Sequence, residues 1–297
     1  MKNRRVKNTV AILGVIMVLV AIGILILTSQ SEKITPEPQR EPAVSYPVHK
    51  VIGKSVEGRN IDAYMYGAGP THLMFVGGIH GGYEWNSVVL LYQFMDYLKE
   101  NLDVIPKNIT VAVIPSANPD GVYRVIKKEG RFAIGDVPTL EQVNGTGRFN
   151  AHEVDINRNF DCKWKPESTW KSKVVSAGVS AFSEPEAVAI RDFVSTYAPA
   201  GAIFWHSKAN AVYASECEDG ILPKTLDIMN VYSQASGYKA IKTFDAYEVS
   251  GDVEGWLASI NIPAITVELK THETVEWERN LAGIKAILKH YEQGINY

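Results

Sequence analysis

Apolar residues fall into three regimes along the 297-residue chain. Residues 9–28 run without a charge for roughly the 20 residues that an α-helix needs to cross a bilayer. Residues 29–46 are rich in Pro, Glu, Ser and Gln and carry few large apolar groups, so they cannot bury a core and are expected to form a flexible linker. Beyond Tyr46, short apolar runs of strand length alternate with longer stretches in which apolar residues recur at helical spacing.

Within that last regime, residues 72–79 form an apolar run closed by glycines, as expected of a buried strand, and residues 84–98 show helical periodicity. Residues 109–114 predict another strand, ending at Asn118-Pro119-Asp120-Gly121, a turn signal. Ser183-Glu184-Pro185-Glu186 predicts a helix start, with a capping Ser, a Pro suited to the first turn and acids at the positive dipole end; the helix is expected to reach about Thr196. Residues 202–205 and 264–268 predict buried strands, and 281–291 a closing amphipathic helix. The alternation predicts an α/β domain over residues 47–297, with a mixed, largely parallel central sheet flanked by helices. Such folds place ligands at the carboxyl ends of strands, where His80, His206 and Glu268 are expected.

Charge changes the picture mainly at the N-terminus. Lys2, Arg4, Arg5 and Lys7 precede the long apolar run, which predicts a cytoplasmic basic tail (1–8), a transmembrane signal anchor (9–28) and the remainder outside the cytoplasm in a single-pass membrane protein. Secretion after signal-peptide cleavage is the alternative, disfavoured because the apolar run exceeds the usual 7–15 residues or so and Leu-Thr-Ser-Gln-Ser-Glu is a poor cleavage site. A net charge of −3 and the lack of a basic patch with interleaved aromatics give no sign of a nucleic-acid partner. Cys162 and Cys217 could pair outside the cytoplasm, but two cysteines make no disulfide scaffold, and they lack the short spacing of thiolate zinc sites.

The candidate chemistry lies in three stretches: Gly-Gly-Ile-His80-Gly-Gly-Tyr-Glu84-Trp, Asp155-Ile-Asn157-Arg158-Asn-Phe and Phe-Trp-His206-Ser. A hydrolytic zinc takes three protein ligands and keeps a fourth position for water. Two imidazoles and a carboxylate, His80, Glu84 and His206, meet that count. Among the remaining histidines, His49, His72, His152, His272 and His290 lack a matching context and are expected to be structural or exposed.

These stretches, taken with Asn-Pro-Asp-Gly, an Arg shortly before Val-Asp-Ile-Asn-Arg-Asn-Phe, a Tyr before Ser-Gly and a late Glu-Leu, resemble the zinc carboxypeptidases of the funnelin, or carboxypeptidase A-like, clan (peptidase M14). The resemblance covers about residues 47–297 and implies one zinc per chain, held by His80, Glu84 and His206. It also implies Glu268 as general base, Arg148 as oxyanion stabiliser, and Asn157, Arg158 and Tyr247 as the anchor for a substrate's terminal carboxylate. Asp155 is expected to back His80. An anchoring Arg needs a carboxylate partner, so the implied activity is exopeptidase, on the C-terminal bond of peptides or proteins.

Glu254, seven positions after Tyr247, matches the family's specificity-pocket position, where a carboxylate favours a basic side chain or the amine of diaminopimelate; opening a helix is its competing role. One departure stands out: the family's usual zinc pair is His-x-x-Glu, whereas three residues separate His80 from Glu84, and Gly81 and Gly82 are expected to loop out the extra one through positive φ. A cell-wall (murein) peptide carboxypeptidase and an N-acyl amino-acid deacylase of related fold are the alternative functions.

Overall fold

The computed structural model describes residues 14–24, 46–139 and 145–294. It divides the chain into two units, Met1–Val44 and Ser45–Tyr297. In the first unit, residues 14–24 are helical. Among the described residues no helix is long and apolar enough to cross a membrane. The rest of the predicted 9–28 span, the basic tail and all but the end of the 29–46 linker lie outside the described residues.

The second unit is built on an eight-stranded sheet in the order β1-β2-β4-β3-β7-β12-β8-β11. Its centre is parallel: β3 (Thr71–Val76), β4 (Ile109–Ile114), β7 (Gly201–Ser207) and β12 (Ala264–Leu269). The flanks carry antiparallel pairs, with β1 (Val48–Lys54) and β2 (Asn60–Gly67) on one side and β8 (Ala211–Ala214) on the other, beyond which β11 (Lys239–Ile241) lies parallel to β8.

Strand alternation sorts the apolar residues into two cores. On one face Leu73 and Phe75 of β3, Ile203 and Trp205 of β7, and Ile265 and Val267 of β12 pack under α1 (Trp85–Glu100), α4 (Pro223–Ser236) and α6 (Trp277–Glu292). On the other, Met74, Val76, Ala202, Phe204 and Ala264 pack under α3 (Pro185–Tyr197) and α5 (Val253–Ser259). Covering both faces is what lets the central strands read as continuous apolar runs.

Two predicted elements take a different form. Asn118-Pro-Asp-Gly starts α2 (Pro119–Ile126): the Asn118 side chain accepts a hydrogen bond from Gly121 N at 2.8 Å, with Pro at the first turn. The last helix begins at Trp277, four residues before the predicted start.

Candidate active site

The β3 strand ends at Val76, and the chain turns through Gly77 and Gly78, the latter at φ +61°, to reach His80. A 3-10 segment, Gly81–Glu84, follows and leads directly into α1. This segment accommodates the extra residue between His80 and Glu84. Gly81 takes φ +47° as expected, whereas Gly82 does not adopt positive φ. A Cβ on Gly81 would lie 2.6 Å from Gly147 O and 2.8 Å from the Gly121 Cα, so three site segments meet here backbone against backbone.

His206 arrives from the carboxyl end of β7, whose register pairs it with Glu268 on β12. His80, Glu84 and His206 are all buried, and each offers a ligand atom within 4.8 Å of the others. His80 Nδ1 lies 2.9 Å from Glu84 Oε1 and 3.2 Å from His206 Nδ1, and His206 Nδ1 lies 3.1 Å from Glu84 Oε2. Glu84 Oε2 is buried and, beyond this contact with His206, has no hydrogen-bond partner among the described residues. Two ring nitrogens and a carboxylate converging on one point fit a zinc ion, with room for water as the fourth ligand.

The charge balance agrees. Burial alone would raise the Glu84 pKa, but His80 and His206 outweigh it and hold the carboxyl well below its ordinary range. Burial likewise acts to lower the His206 pKa, and Glu84 with Glu254 overrides it upward. Glu84 and His206 are thus each drawn toward the charged form by their neighbours.

Behind the donors stand further carboxylates. Asp155 Oδ1 faces His80 Nε2 at 3.4 Å, and Asp155 Oδ2 accepts from Arg148 Nε and Nη2 at 3.0 and 2.7 Å. Arg148 therefore stands at the edge of the site with its fork occupied by Asp155, while Nη1 lies 3.8 Å from Glu84 Oε1 and the guanidinium packs 4.5 Å from the Trp170 ring centroid. Glu254 Oε1 accepts from His206 Nε2 at 3.1 Å.

Glu268 is the remaining acid at the centre. Burial first, and the negative charge of Glu84 second, push its carboxyl up to about 7. Its Oε2 is buried without a hydrogen-bond partner among the described residues. A carboxyl with a displaced pKa beside a metal position is a candidate for proton transfer.

His80 and His206 border a cavity of about 210 Å³ whose walls include Asn157, Arg158, Tyr247, Asp252, Glu254 and Glu268. Of the predicted site residues, Glu84 and Arg148 do not line it: Glu84 lies behind, against both imidazoles, and Arg148 approaches through Asp155 and Glu84. Arg158 is buried; its Nε and Nη2 donate to Thr169 O at 3.3 and 3.1 Å. Tyr247 packs edge-on against Phe244 at 4.8 Å between centroids. A larger cleft, about 450 Å³, lies among Lys54, Arg59 and Lys128 and contains none of the predicted residues.

Several residues at the site have no sequence signal. Tyr83, next to a donor, stacks edge-on with Trp170 and with His272, and His272 Nδ1 lies 2.7 Å from the Ser207 hydroxyl beside His206. His272 thus packs between Tyr83 and Ser207, neighbours in sequence of Glu84 and His206. Asp252 lines the cavity and caps α5 by accepting from Gly255 N at 2.7 Å. Cys162 and Cys217 form a disulfide, with Cys162 in the cavity wall; it ties the segment after Arg158 to β9 (Glu216–Cys217).

Comparison with known proteins places this geometry. The chain is 23% identical over 238 residues to gamma-D-glutamyl-L-diamino acid endopeptidase 1 of Lysinibacillus sphaericus, covering 73% of this chain and 59% of that protein. It is 25% identical over 162 residues to carboxypeptidase D of Mus musculus, covering 49% of this chain and 10% of that protein. The chain thus spans less than two thirds of these relatives. Among solved structures, murein-tripeptide amidase MpaA from Escherichia coli O157 aligns with TM-score 0.59 at 21% identity, over 85% of this chain and 96% of that one. Thrombin activatable fibrinolysis inhibitor aligns with TM-score 0.68 at 18% identity, over 84% of this chain and 73% of that one. His80, Glu84 and His206 form a cluster that could hold a metal ion, and the family model Peptidase_M14, zinc carboxypeptidase, matches residues 45–287: this chain belongs to the zinc carboxypeptidase family.

Proposed function

We propose that the protein is a zinc-dependent exopeptidase that releases a C-terminal residue whose side chain ends in an amine or other cation. The observation that carries this reading is the cavity itself, lined together by His80 and His206, by Arg158 and Tyr247, and by the two acids Asp252 and Glu254. Burial and the neighbouring Glu254 push the Asp252 carboxyl up to about 6. Two carboxylates held this close favour a cation between them.

Zinc held by His80, Glu84 and His206 would supply Lewis acidity. Glu268, with its displaced pKa, would take the proton of the attacking water and pass it to the departing amine as the peptide C–N bond breaks. Asn157, Arg158 and Tyr247 orient the terminal carboxylate, which selects a chain end over an internal bond, because an internal carbonyl leaves the buried Arg158 charge unmatched. Arg148, with Nε and Nη2 held by Asp155, would use its remaining Nη1 to stabilise charge developing on the carbonyl oxygen.

A diamino acid at the end of a cell-wall peptide satisfies the same cavity. The names of the Lysinibacillus gamma-D-glutamyl-L-diamino acid endopeptidase and of the murein-tripeptide amidase favour that variant of the reading, the one naming a diamino acid and the other a murein peptide. The apolar run at 9–28 behind four cations, and the disulfide, support a catalytic domain acting outside the cytoplasm from a membrane anchor.

The test is a panel of peptides ending in Lys, Arg, Leu and Phe, with murein peptides ending in diaminopimelate, incubated with the zinc-loaded protein and followed by mass spectrometry. Release of the cationic residues and diaminopimelate ahead of Leu and Phe is expected. No release from any member, or fastest release of Phe, would overturn the proposal.

A further inference from the structure

The two metal-ligating imidazoles are arranged alike. In each, Nδ1 faces the other donors and Nε2 faces outward onto a carboxylate, Asp155 for His80 and Glu254 for His206. An imidazole that gives its Nδ1 lone pair to a metal carries its proton on Nε2, and that proton needs a buried acceptor. For His206 the acceptor is Glu254 Oε1 at 3.1 Å.

Glu254 is itself held in place. It is buried in the first turn of α5, and its Oε1 also accepts from the Thr266 hydroxyl at 2.9 Å. Thr266 lies two residues before Glu268 on β12, so the brace for His206 and the candidate base rise from the same strand face. The second oxygen, Oε2, has only a 3.4 Å contact from Asn157 Nδ2. One oxygen is thus committed to the metal ligand through a contact that spans 48 residues of sequence.

We propose that Glu254 is a positioning residue for the zinc ligand His206, fixing its tautomer and ring orientation. This rests on His206 being a zinc ligand, as the proposed function requires. It does not depend on which substrate is cleaved.

The experiment measures zinc affinity by chelator competition in the substrate-free full chain, for the parent, Glu254→Gln, Thr266→Val and Asp252→Asn. Loss of a carboxylate behind a metal-bound His lowers affinity by about 10–100-fold, so Glu254→Gln is expected to fall in that range. Thr266→Val, which releases Glu254 without changing any charge, is expected to show a smaller fall in the same direction, and it remains informative if Glu254→Gln does not fold. Asp252→Asn is expected to keep parental zinc affinity. The visible spectrum of the cobalt-substituted protein adds a direct view of the ligand field: it is expected to change in Glu254→Gln and to stay parental in Asp252→Asn. Parental zinc affinity and cobalt spectrum in both Glu254→Gln and Thr266→Val would overturn the proposal. So would a fall in zinc affinity in Asp252→Asn equal to that in Glu254→Gln. If no peptide is cleaved but the zinc affinities follow this order, the proposed function fails and the assignment of Glu254 stands.

Discussion

Replacing Asp155 by Asn removes the buried charge shared by His80 and Arg148. Asp155 is fully buried, and burial works against its ionisation, yet Arg148, Arg158 and His80 together hold its carboxyl well below the usual range. Asn keeps the size and one acceptor oxygen but not the charge. Arg148, only 2% exposed, would then have Glu84 at 3.8 Å as its one remaining anionic contact within 4 Å among the described residues. Removing one partner of a buried ion pair costs about 3–5 kcal/mol. The retained acceptor and Glu84 put the expectation for Asp155→Asn at the lower end, about 3 kcal/mol. With a urea slope of about 3 kcal/mol per molar, the unfolding midpoint falls by about 1 M. The measurement belongs in the zinc-free protein, because bound metal adds stability of its own. Chelator competition on the same variant gives a second, independent value: zinc affinity is expected to drop about 10–100-fold. A midpoint and a zinc affinity both equal to the parent's would refute the view that this carboxylate holds the site.

Glu268→Gln is expected to retain zinc, by metal analysis, while kcat falls by about 10²–10⁴-fold; full activity would remove Glu268 from the mechanism. Reducing the Cys162–Cys217 bond, which spans 55 residues, is expected to cost up to about 4 kcal/mol by loop entropy, seen as a lower denaturation midpoint in dithiothreitol; an unchanged midpoint would show the cavity wall is held by packing alone. Asp252, pushed up to about 6, binds its proton more tightly folded than unfolded, so its contribution to stability is present below the unfolded value near 4 and is lost as pH rises through about 6. Asp252→Asn in the zinc-free protein should therefore gain melting temperature relative to the parent between pH 4 and 7; a constant difference across that range would contradict the assigned pKa.

Much of the fold is legible in the sequence because the central strands are buried on both faces and so appear as uninterrupted apolar runs. Residues 109–114 match β4 at both ends for that reason. Asn118-Pro-Asp-Gly is read as a turn because Asn and Pro serve turns and helix starts alike; only the Asn118 side chain reaching Gly121 N distinguishes them. The metal donors are recoverable from short motifs, whereas the groups that brace them come from distant segments. Glu254 meets His206 across 48 residues, and Cys162 meets Cys217 across 55, so neither partner is written in local spacing. The extra residue before Glu84 is absorbed by a 3-10 turn, which a count of positions cannot show.

The meeting of Gly81, Gly121 and Gly147 sets an asymmetry in how this site can change over evolutionary time. A Cβ on Gly121 would lie 2.4 Å from Gly147 O, as intolerable as one on Gly81, so the segments that carry His80, Asn118 and Arg148 are locked main chain to main chain. No side chain can grow there without parting them. Elsewhere the cavity is lined by side chains such as Asp252 and Phe244. Variation in the lineage of this chain is therefore expected among such side chains, while the three glycines stay constant.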